Sequence, residues 1–104
     1  MSDCLFCKIG SGQIPAKVVL QDDEVLAFDD TNPQAPVHVL VIPKRHVVAL
    51  NEAGAGDQAL LGRLFAAAAA VAGKKGIAES GYRVVANTGR DGGQSVFHLH
   101  LHVL

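Results

Sequence analysis

The chain has 104 residues, of which 49% are hydrophobic and 18% charged, and its formal net charge is −1. This length and composition predict one folded, soluble domain spanning 1–104 and exclude a disordered chain. The near-neutral charge gives no broad basic field, so we expect no nucleic acid partner. No apolar run reaches the length of a membrane span, and the N-terminus lacks the layout of a signal peptide. We therefore expect no membrane partner and a cytoplasmic location.

The first half of the chain predicts a short helical turn followed by three strands. The turn covers Leu5–Gly10 and ends at a glycine-rich breaker. Two strands, Val18–Gln21 and 25–28, flank a short polar connection that is typical of a hairpin. The loop at 31–36 holds two prolines, which remove backbone donors and stiffen the chain. The third strand is predicted at 37–42, where most residues are apolar or β-branched.

A long helix over 57–73 and two further strands are predicted in the second half. The apolar residues of the helix recur at the spacing of one face; they are Leu60, Leu61, Leu64, Phe65, Ala68, Val71 and Ala72. Asp57 near its start complements the helix dipole. A strand at 82–86 and a glycine-rich turn at 89–93 follow. Five strands and one long helix predict an α+β fold, in which an antiparallel sheet is covered on one side by the helix.

The stretch 94–104 alternates apolar and imidazole side chains with the period of a β-strand. His98, His100 and His102 are therefore predicted to share one face of that strand. The opposite face is apolar and predicted to pack into the core; it consists of Phe97, Leu99, Leu101 and Val103. Three imidazoles are unusual on a solvated strand face, and they indicate either a metal site or a catalytic face that handles phosphate.

The glycine-rich loop before this strand leads directly to Ser95. Its small residues let backbone N–H groups approach an anion closely. Neutral imidazole can attack phosphorus, protonated imidazole can stabilise phosphoryl oxygens, and a serine hydroxyl can donate to a leaving group. Together, the loop, the serine and the histidines indicate transfer of a phosphorus group through a covalent histidine intermediate.

The two cysteines of the chain, Cys4 and Cys7, form a C-x-x-C pair. In a reducing compartment this pair indicates metal binding or redox chemistry before a structural disulfide. The redox alternative lacks a thioredoxin-like βαβ context around the pair. Two reduced thiols without a ligand are the remaining alternative. By themselves, two thiolates make only half of a zinc site.

The stretch 98–104 resembles the H-φ-H-φ-H-φ-φ motif of the histidine-triad (HIT) superfamily. The stretches 28–30, 33–38 and 40–44, together with Asn87 and 92–95, resemble its Hint branch, the histidine-triad nucleotide-binding proteins. This resemblance implies a HIT-like fold with a five-stranded antiparallel sheet, one long helix and a short N-terminal helix. It further implies a homodimer with a ten-stranded sheet that hydrolyses purine nucleoside phosphoramidates. A dinucleoside polyphosphate hydrolase and a non-catalytic nucleotide-binding or interaction module are the alternatives.

The resemblance assigns catalytic roles to four side chains. His100 matches the nucleophile that becomes a nucleotidyl-histidine, and His102 matches the histidine that stabilises charge beside the phosphate. His38 matches the histidine that polarises the others. Ser95 matches the hydroxyl next to the leaving group.

The resemblance also implies a binding site for a purine nucleotide. Asp30 matches the carboxylate that accepts hydrogen bonds from the ribose hydroxyls. The phosphate contacts match Asn87, Gly93, Gln94 and the backbone of Ser95, beside His100 and His102. The base pocket matches Phe6, Ile9, Phe28 and Thr31.

A structural zinc ion completes the expectations, and no organic cofactor is expected. HIT proteins with this C-x-x-C pair bind zinc through two further histidines, whose positions match His46 and His98, beside Cys4 and Cys7. Hint proteins generally continue past the triad with a tail that reaches the partner subunit's site. A chain without that tail is expected to differ in leaving-group selectivity and in dimer strength.

Overall fold

The computed structural model describes residues 3–104, so the first two residues of the predicted domain lie outside it. Five antiparallel strands form one sheet in the spatial order β1-β2-β3-β5-β4. The strands are β1 (Val18–Gln21), β2 (Val25–Asp29), β3 (Val39–Pro43), β4 (Val84–Val85) and β5 (Leu101–Val103). The helices are α1 (Leu5–Gly10) and α2 (Gln58–Lys74), and two short 3₁₀ turns (Leu50–Glu52 and Ala55–Asp57) precede α2. The predicted α+β class and the five-stranded antiparallel sheet are confirmed.

The C-terminal strand lies in the middle of the sheet. Strand β5 pairs with β3, with Val41 opposite Leu101, and on its other side with β4, with Val84 opposite Val103. The strands therefore do not follow one another as simple hairpins, since β5 is inserted between β3 and β4. This insertion places the end of the chain beside β3, more than fifty residues earlier in sequence.

Four strands differ from their predicted bounds, and β2 does so only by the addition of Asp29. The third strand includes Pro43, which pairs with Val25 at the strand end, where a missing N–H is tolerated. The fourth strand is only two residues long. The last strand begins at Leu101, because residues 96–98 bend and the Leu99 N–H donates to the Val47 carbonyl at 2.6 Å. The prediction that Phe97 packs into the core is wrong, because in this bend its side chain is 58% exposed.

Helix α2 packs on one face of the sheet through a narrow apolar stripe. Its buried residues are Leu64, Ala68, Val71 and Ala72. Phe65 was predicted in this stripe but is 53% exposed. It follows Leu64 by one position, so its side chain projects about 100° away from the buried stripe. The helix is preceded by a 3₁₀ turn in which the Asp57 carboxylate accepts the Gly54 N–H at 2.9 Å.

Apolar side chains cover both faces of the sheet. The larger cluster lies under α2 and includes Val25, Ala27, Val39, Val41, Leu64, Leu99 and Leu101. The smaller cluster lies on the opposite face and consists of Phe6, Leu26, Phe28, Leu40 and Ile42. Alternation along β2 and β3 sends neighbouring residues to opposite clusters. Helix α1 thus brings Phe6 against the second face, where the candidate site lies. Within residues 3–104, no helix is long and apolar enough to cross a membrane.

Candidate functional site

A cleft of about 450 Å³ opens on the α1 side of the sheet. Its apolar side chains include Leu5, Phe6, Ile9, Ile14, Phe28 and Leu40. Its polar residues include Asp30, Thr31, Asn32, Gln34, His38, Ser95, His100 and His102. An apolar pocket that leads to a few convergent polar groups is typical of a small-molecule site. All four residues predicted to be catalytic line this cleft.

His100 is oriented for nucleophilic attack by the backbone of its own strand. It is 5% exposed, and its Nδ1 lies 2.7 Å from the His98 carbonyl oxygen. Since a carbonyl oxygen only accepts, Nδ1 carries the proton and donates it. In the neutral ring, Nε2 therefore keeps an unprotonated lone pair. The ring is held in place by an edge-to-face contact with Phe6, with 5.1 Å between ring centroids.

His38 and His102 form a directed hydrogen-bond chain. The backbone N–H of Gln34 donates to His38 Nδ1 at 3.0 Å, so the proton of the neutral ring is on Nε2. His38 Nε2–H in turn donates to His102 Nδ1 at 2.9 Å. The neutral His102 then carries its own proton on Nε2, where it can donate to a phosphoryl oxygen. One backbone amide thus determines the tautomers of two rings.

Asp30 lies beside His38 in this hydrogen-bond chain. Its Oδ2 is 3.4 Å from His38 Nε2, and its Oδ1 accepts the Asn32 N–H at 2.9 Å. The Asp30 N–H also donates to the His38 carbonyl at 2.9 Å, which closes the loop between β2 and β3. The carboxylate is therefore held against the cleft wall with lone pairs available to further donors.

Burial lowers the pKa of His102 below its usual value of 6.5, and the nearby His100 and His38 rings act in the same direction. The Asp30 carboxylate opposes the shift. Two polarised rings beside a third disfavour a positive charge on it. His102 is therefore neutral at neutral pH, as its place in the hydrogen-bond chain requires.

A second cluster on the far side of Phe6 joins the C-x-x-C pair to two histidines. Cys4 Sγ and His98 Nδ1 are 3.3 Å apart, and Cys7 Sγ and His46 Nδ1 are 3.2 Å apart. The two Nδ1 atoms are 3.2 Å apart, and Cys7 Sγ lies 3.5 Å from His98 Nδ1. Such separations are the edges of a tetrahedron around zinc, with Zn–N near 2.0–2.1 Å and Zn–S near 2.3 Å.

The protonation of His98 fits a ligand role. The residue is fully buried, and its Nε2 lies 2.7 Å from the Pro43 carbonyl oxygen, so Nε2 carries the proton and Nδ1 has a lone pair. Burial lowers the pKa of His98, an effect that the Pro43 carbonyl opposes. A buried neutral imidazole whose Nδ1 lone pair faces two cysteine sulfurs can coordinate zinc without first losing a proton. The donor set therefore fits the predicted metal.

Asp30, His38 and His102 are also close enough together to hold a metal ion. The hydrogen bond from Gln34 argues against this use. His38 Nδ1 accepts a backbone N–H, so its Nε2 is protonated and has no lone pair to give. Among the described residues, the cysteine cluster is thus the site suited to a metal.

The predicted phosphate contacts at Asn87, Gly93 and Gln94 do not line the cleft. The Gly93 N–H donates to the Arg90 carbonyl at 3.1 Å, and the Gln94 N–H donates to the Gly89 carbonyl at 3.0 Å. The Gln94 side chain points into the protein. Ser95 alone of this loop reaches the cleft, and phosphate contacts by the other three residues stay a prediction.

The sequence did not indicate the backbone groups that set the histidine tautomers. Those groups are the N–H of Gln34 and the carbonyls of Pro43 and His98. Every non-proline residue carries the same donor and acceptor, so no residue pattern marks these positions. The apolar cleft residues Leu5 and Ile14 were likewise unmarked, because they read as ordinary helix and loop positions.

The chain is similar to known proteins over nearly its whole length. The HIT domain family matches residues 11–104. The chain is 54% identical over 102 residues to an uncharacterized HIT-like protein of Synechococcus elongatus, covering 98% of this chain and 89% of that protein. It is 46% identical over 102 residues to the purine nucleoside phosphoramidase of Escherichia coli K12, covering 98% of this chain and 86% of the enzyme.

Solved structures give the same result. A HIT family hydrolase from Legionella pneumophila superposes with a TM-score of 0.96 at 48% identity, covering 98% of this chain and 91% of that chain. A histidine triad protein from Clostridium difficile superposes with a TM-score of 0.96 at 44% identity, covering all of this chain and 90% of the other. The fold is thus similar to that of solved HIT proteins.

Proposed function

The chain belongs to the HIT domain family, and from this premise we propose that it hydrolyses purine nucleoside phosphoramidates, such as AMP joined through nitrogen to an amine. The observation that carries the proposal is the tautomer of His100. Its Nδ1–H donates to the His98 carbonyl, so Nε2 of the neutral ring is unprotonated, and this ring lines the cleft. A neutral imidazole in this state is a competent nucleophile.

In the first step, the Nε2 lone pair of His100 attacks the α-phosphorus. A bond forms between Nε2 and phosphorus as the bond between phosphorus and the substrate nitrogen breaks. The departing nitrogen keeps the electron pair and takes up a proton. Ser95, on the cleft wall, directs its hydroxyl at this nitrogen and relays the proton, which solvent replaces. His102 Nε2–H donates to a phosphoryl oxygen as charge develops there.

In the second step, water attacks the same phosphorus. The bond between phosphorus and His100 Nε2 breaks, the water proton goes to solvent, and AMP leaves with the histidine neutral again. The Nδ1 hydrogen bond to the His98 carbonyl stabilises the positive ring of the intermediate in both steps. The apolar end of the cleft, with Phe6 and Phe28, accommodates the base, and Asp30 accepts the ribose hydroxyls.

Intact-mass spectrometry on rapidly quenched mixtures tests this proposal. Protein mixed with an AMP amidate and quenched within seconds is expected to gain the mass of one adenylate, whereas His100→Ala gains none. Parallel assays with diadenosine polyphosphate and with AMP alone separate the two other functions. Preferred cleavage of the polyphosphate favours the polyphosphate hydrolase, and binding of AMP without turnover of either substrate favours a binding module. Either result contradicts the proposal.

We further propose that Cys4, Cys7, His46 and His98 hold a structural zinc ion. This proposal is supported by the tetrahedral spacing of the four ligand atoms and by the His98 tautomer. When bound, the ion supplies a cross-link between the N-terminal turn and the last strand, and takes no part in the reaction. The Cys4 sulfur accepts the Cys7 N–H at 3.4 Å, so the local geometry of the turn orients the Cys4 sulfur.

The predicted homodimer also remains a proposal. Within residues 3–104, strand β4 is at one edge of the sheet and pairs with β5 alone, so a second copy can extend the sheet to ten strands. Phe65 on the outer surface of α2 is 53% exposed, and Tyr82 before β4 is 37% exposed. Exposed aromatic residues of this kind are common at interfaces between copies.

A further inference from the structure

Gln94 is a buried polar residue whose side chain serves neither the proposed reaction nor the proposed zinc site. The residue is 6% exposed. Its Nε2 donates to the Val48 carbonyl at 2.7 Å and to the Val96 carbonyl at 3.1 Å. Its Oε1 accepts the Gly89 N–H at 2.9 Å. Both hydrogens and the oxygen of the side-chain amide thus have hydrogen-bond partners. A buried amide with all these partners favours one local conformation of the chain.

These bonds close the glycine-rich loop on itself. The Gln94 N–H donates to the Gly89 carbonyl at 3.0 Å, so Gly89 is held at both its N–H and its C=O. Gly93 adopts a φ of 81°, which turns the chain so that the Gln94 side chain enters the interior. The loop 89–94 is therefore a small ring whose ends are joined through one residue.

The other end of the Gln94 amide reaches the segment that supports the histidine strand. Val48 follows Val47, whose carbonyl accepts the Leu99 N–H at 2.6 Å. The Val47–Val48 segment thus accepts hydrogen bonds from the Gln94 side chain and from Leu99, the residue before His100. Ser95 follows the buried Gln94 directly, so the hydrogen bonds that fix the Gln94 side chain also restrict where the Ser95 side chain can lie. Ser95 is exposed and lines the cleft.

We propose that Gln94 is a positioning residue, whose side-chain amide holds the Ser95 hydroxyl at the leaving-group end of the cleft by tying loop 89–94 to the Val47–Val48 segment. This inference rests on the proposed phosphoramidate hydrolysis and specifies how its leaving-group end is built. The role proposed here is carried by the Gln94 side chain, whose amide groups all face the interior rather than the cleft.

The variant Gln94→Met keeps the length of the side chain and removes its three hydrogen bonds. We expect kcat for an alkyl amidate of AMP to fall about 100-fold, the scale of loss when a catalytic group shifts by about 1 Å. An aryl-amine leaving group needs less proton donation, so its kcat is expected to fall less. The Kd of adenosine is expected to stay at the wild-type value, because Phe6 and Phe28, which are proposed to contact the base, belong to α1 and β2 and not to the loop.

A double-mutant cycle with Ser95→Ala separates positioning from general damage to the fold. If Gln94 acts through the Ser95 hydroxyl, Gln94→Met lowers kcat in the wild-type background and has little further effect once that hydroxyl is gone. A purely structural role would lower kcat by the same factor in both backgrounds. Equal factors, or an unchanged kcat in Gln94→Met, overturn the proposal. Gln58→Met, on an exposed residue at the start of α2, is the matched control and is expected to behave as wild type.

Wild-type protein supplies a test that needs no folded variant and no turnover. The side-chain amide hydrogens of Gln94 are expected to exchange with solvent more slowly than those of Gln58 in ¹⁵N-resolved NMR spectra. Equally fast exchange overturns the proposal even if Gln94→Met fails to fold. Absence of AMP release by the wild type contradicts the proposed function instead, whereas slow exchange of the Gln94 amide still supports its hold on the loop.

Discussion

Phe6 lies between the cleft and the cysteine cluster, and its replacement by leucine is expected to destabilise the protein markedly. Phe6 is 4% exposed. Its ring makes edge-to-face contacts with Phe28, His98 and His100, at centroid distances of 5.6, 5.9 and 5.1 Å. Such a pair contributes about 1 kcal/mol beyond the area that it buries. Because leucine retains most of the apolar volume but none of the three ring contacts, Phe6→Leu is expected to lower the free energy of unfolding by about 3 kcal/mol.

Equilibrium unfolding in urea measures this loss, and Phe65→Leu is the matched control. Phe65 is 53% exposed, so the same substitution there is expected to change the free energy of unfolding by no more than about 0.5 kcal/mol. Both variants are measured at two protein concentrations, because an effect of Phe65→Leu that grows with concentration would indicate contact between copies. A loss in Phe6→Leu no larger than in Phe65→Leu at the lower concentration refutes the three-ring account of Phe6.

Three further predictions concern the metal cluster, the pH dependence of hydrolysis and the pH dependence of stability. Replacing both cysteines, Cys4→Ser and Cys7→Ser, is expected to abolish stoichiometric zinc in elemental analysis and to lower the unfolding midpoint by several degrees; unchanged metal content contradicts the zinc proposal. Hydrolysis is expected to decline on acidification, because only a neutral imidazole has a lone pair for the attack, and a rate that stays constant to about pH 4 argues against histidine attack. The free energy of unfolding is also expected to fall at acid pH, because the pKa of His102 is lower in the folded than in the unfolded protein. The stabilisation that arises from neutral His102 is complete above pH 6.5 and is lost as pH falls through the folded pKa. The urea concentration at the unfolding midpoint, measured at pH 7.5 and at pH 5.5, checks this. The difference between the two midpoints is expected to be smaller in His102→Gln than in the wild type.

The sequence alone predicted most of the helices and strands. Its errors lie mainly at strand ends, where tertiary contacts decide the boundary. The period of two in 94–104 predicts a strand, yet only Leu101–Val103 is one. The bend at 96–98 exposes Phe97 and allows the Leu99 N–H to reach the Val47 carbonyl. A local period cannot register a hydrogen-bond partner fifty residues away, so the boundary was decided by tertiary contacts.

The identities of the chemical groups were also readable from the sequence. Imidazoles at alternate positions, a serine after a glycine-rich loop and a C-x-x-C pair are local patterns, and they marked side chains that line the cleft or form the cysteine cluster. The order of strands was not local. Insertion of β5 between β3 and β4 brings His102 against His38, and β3 presents the Pro43 carbonyl to His98.

Protonation was decided only by the folded backbone. The Gln34 N–H and the carbonyls of Pro43 and His98 set which nitrogen of each ring carries the proton. For the same reason Gln94, predicted to contact phosphate, proved to have its amide directed into the protein. The sequence therefore determined which groups are present, because residue type is a local property. Only the tertiary structure determined which groups donate and accept, because the partners are backbone atoms that every residue carries.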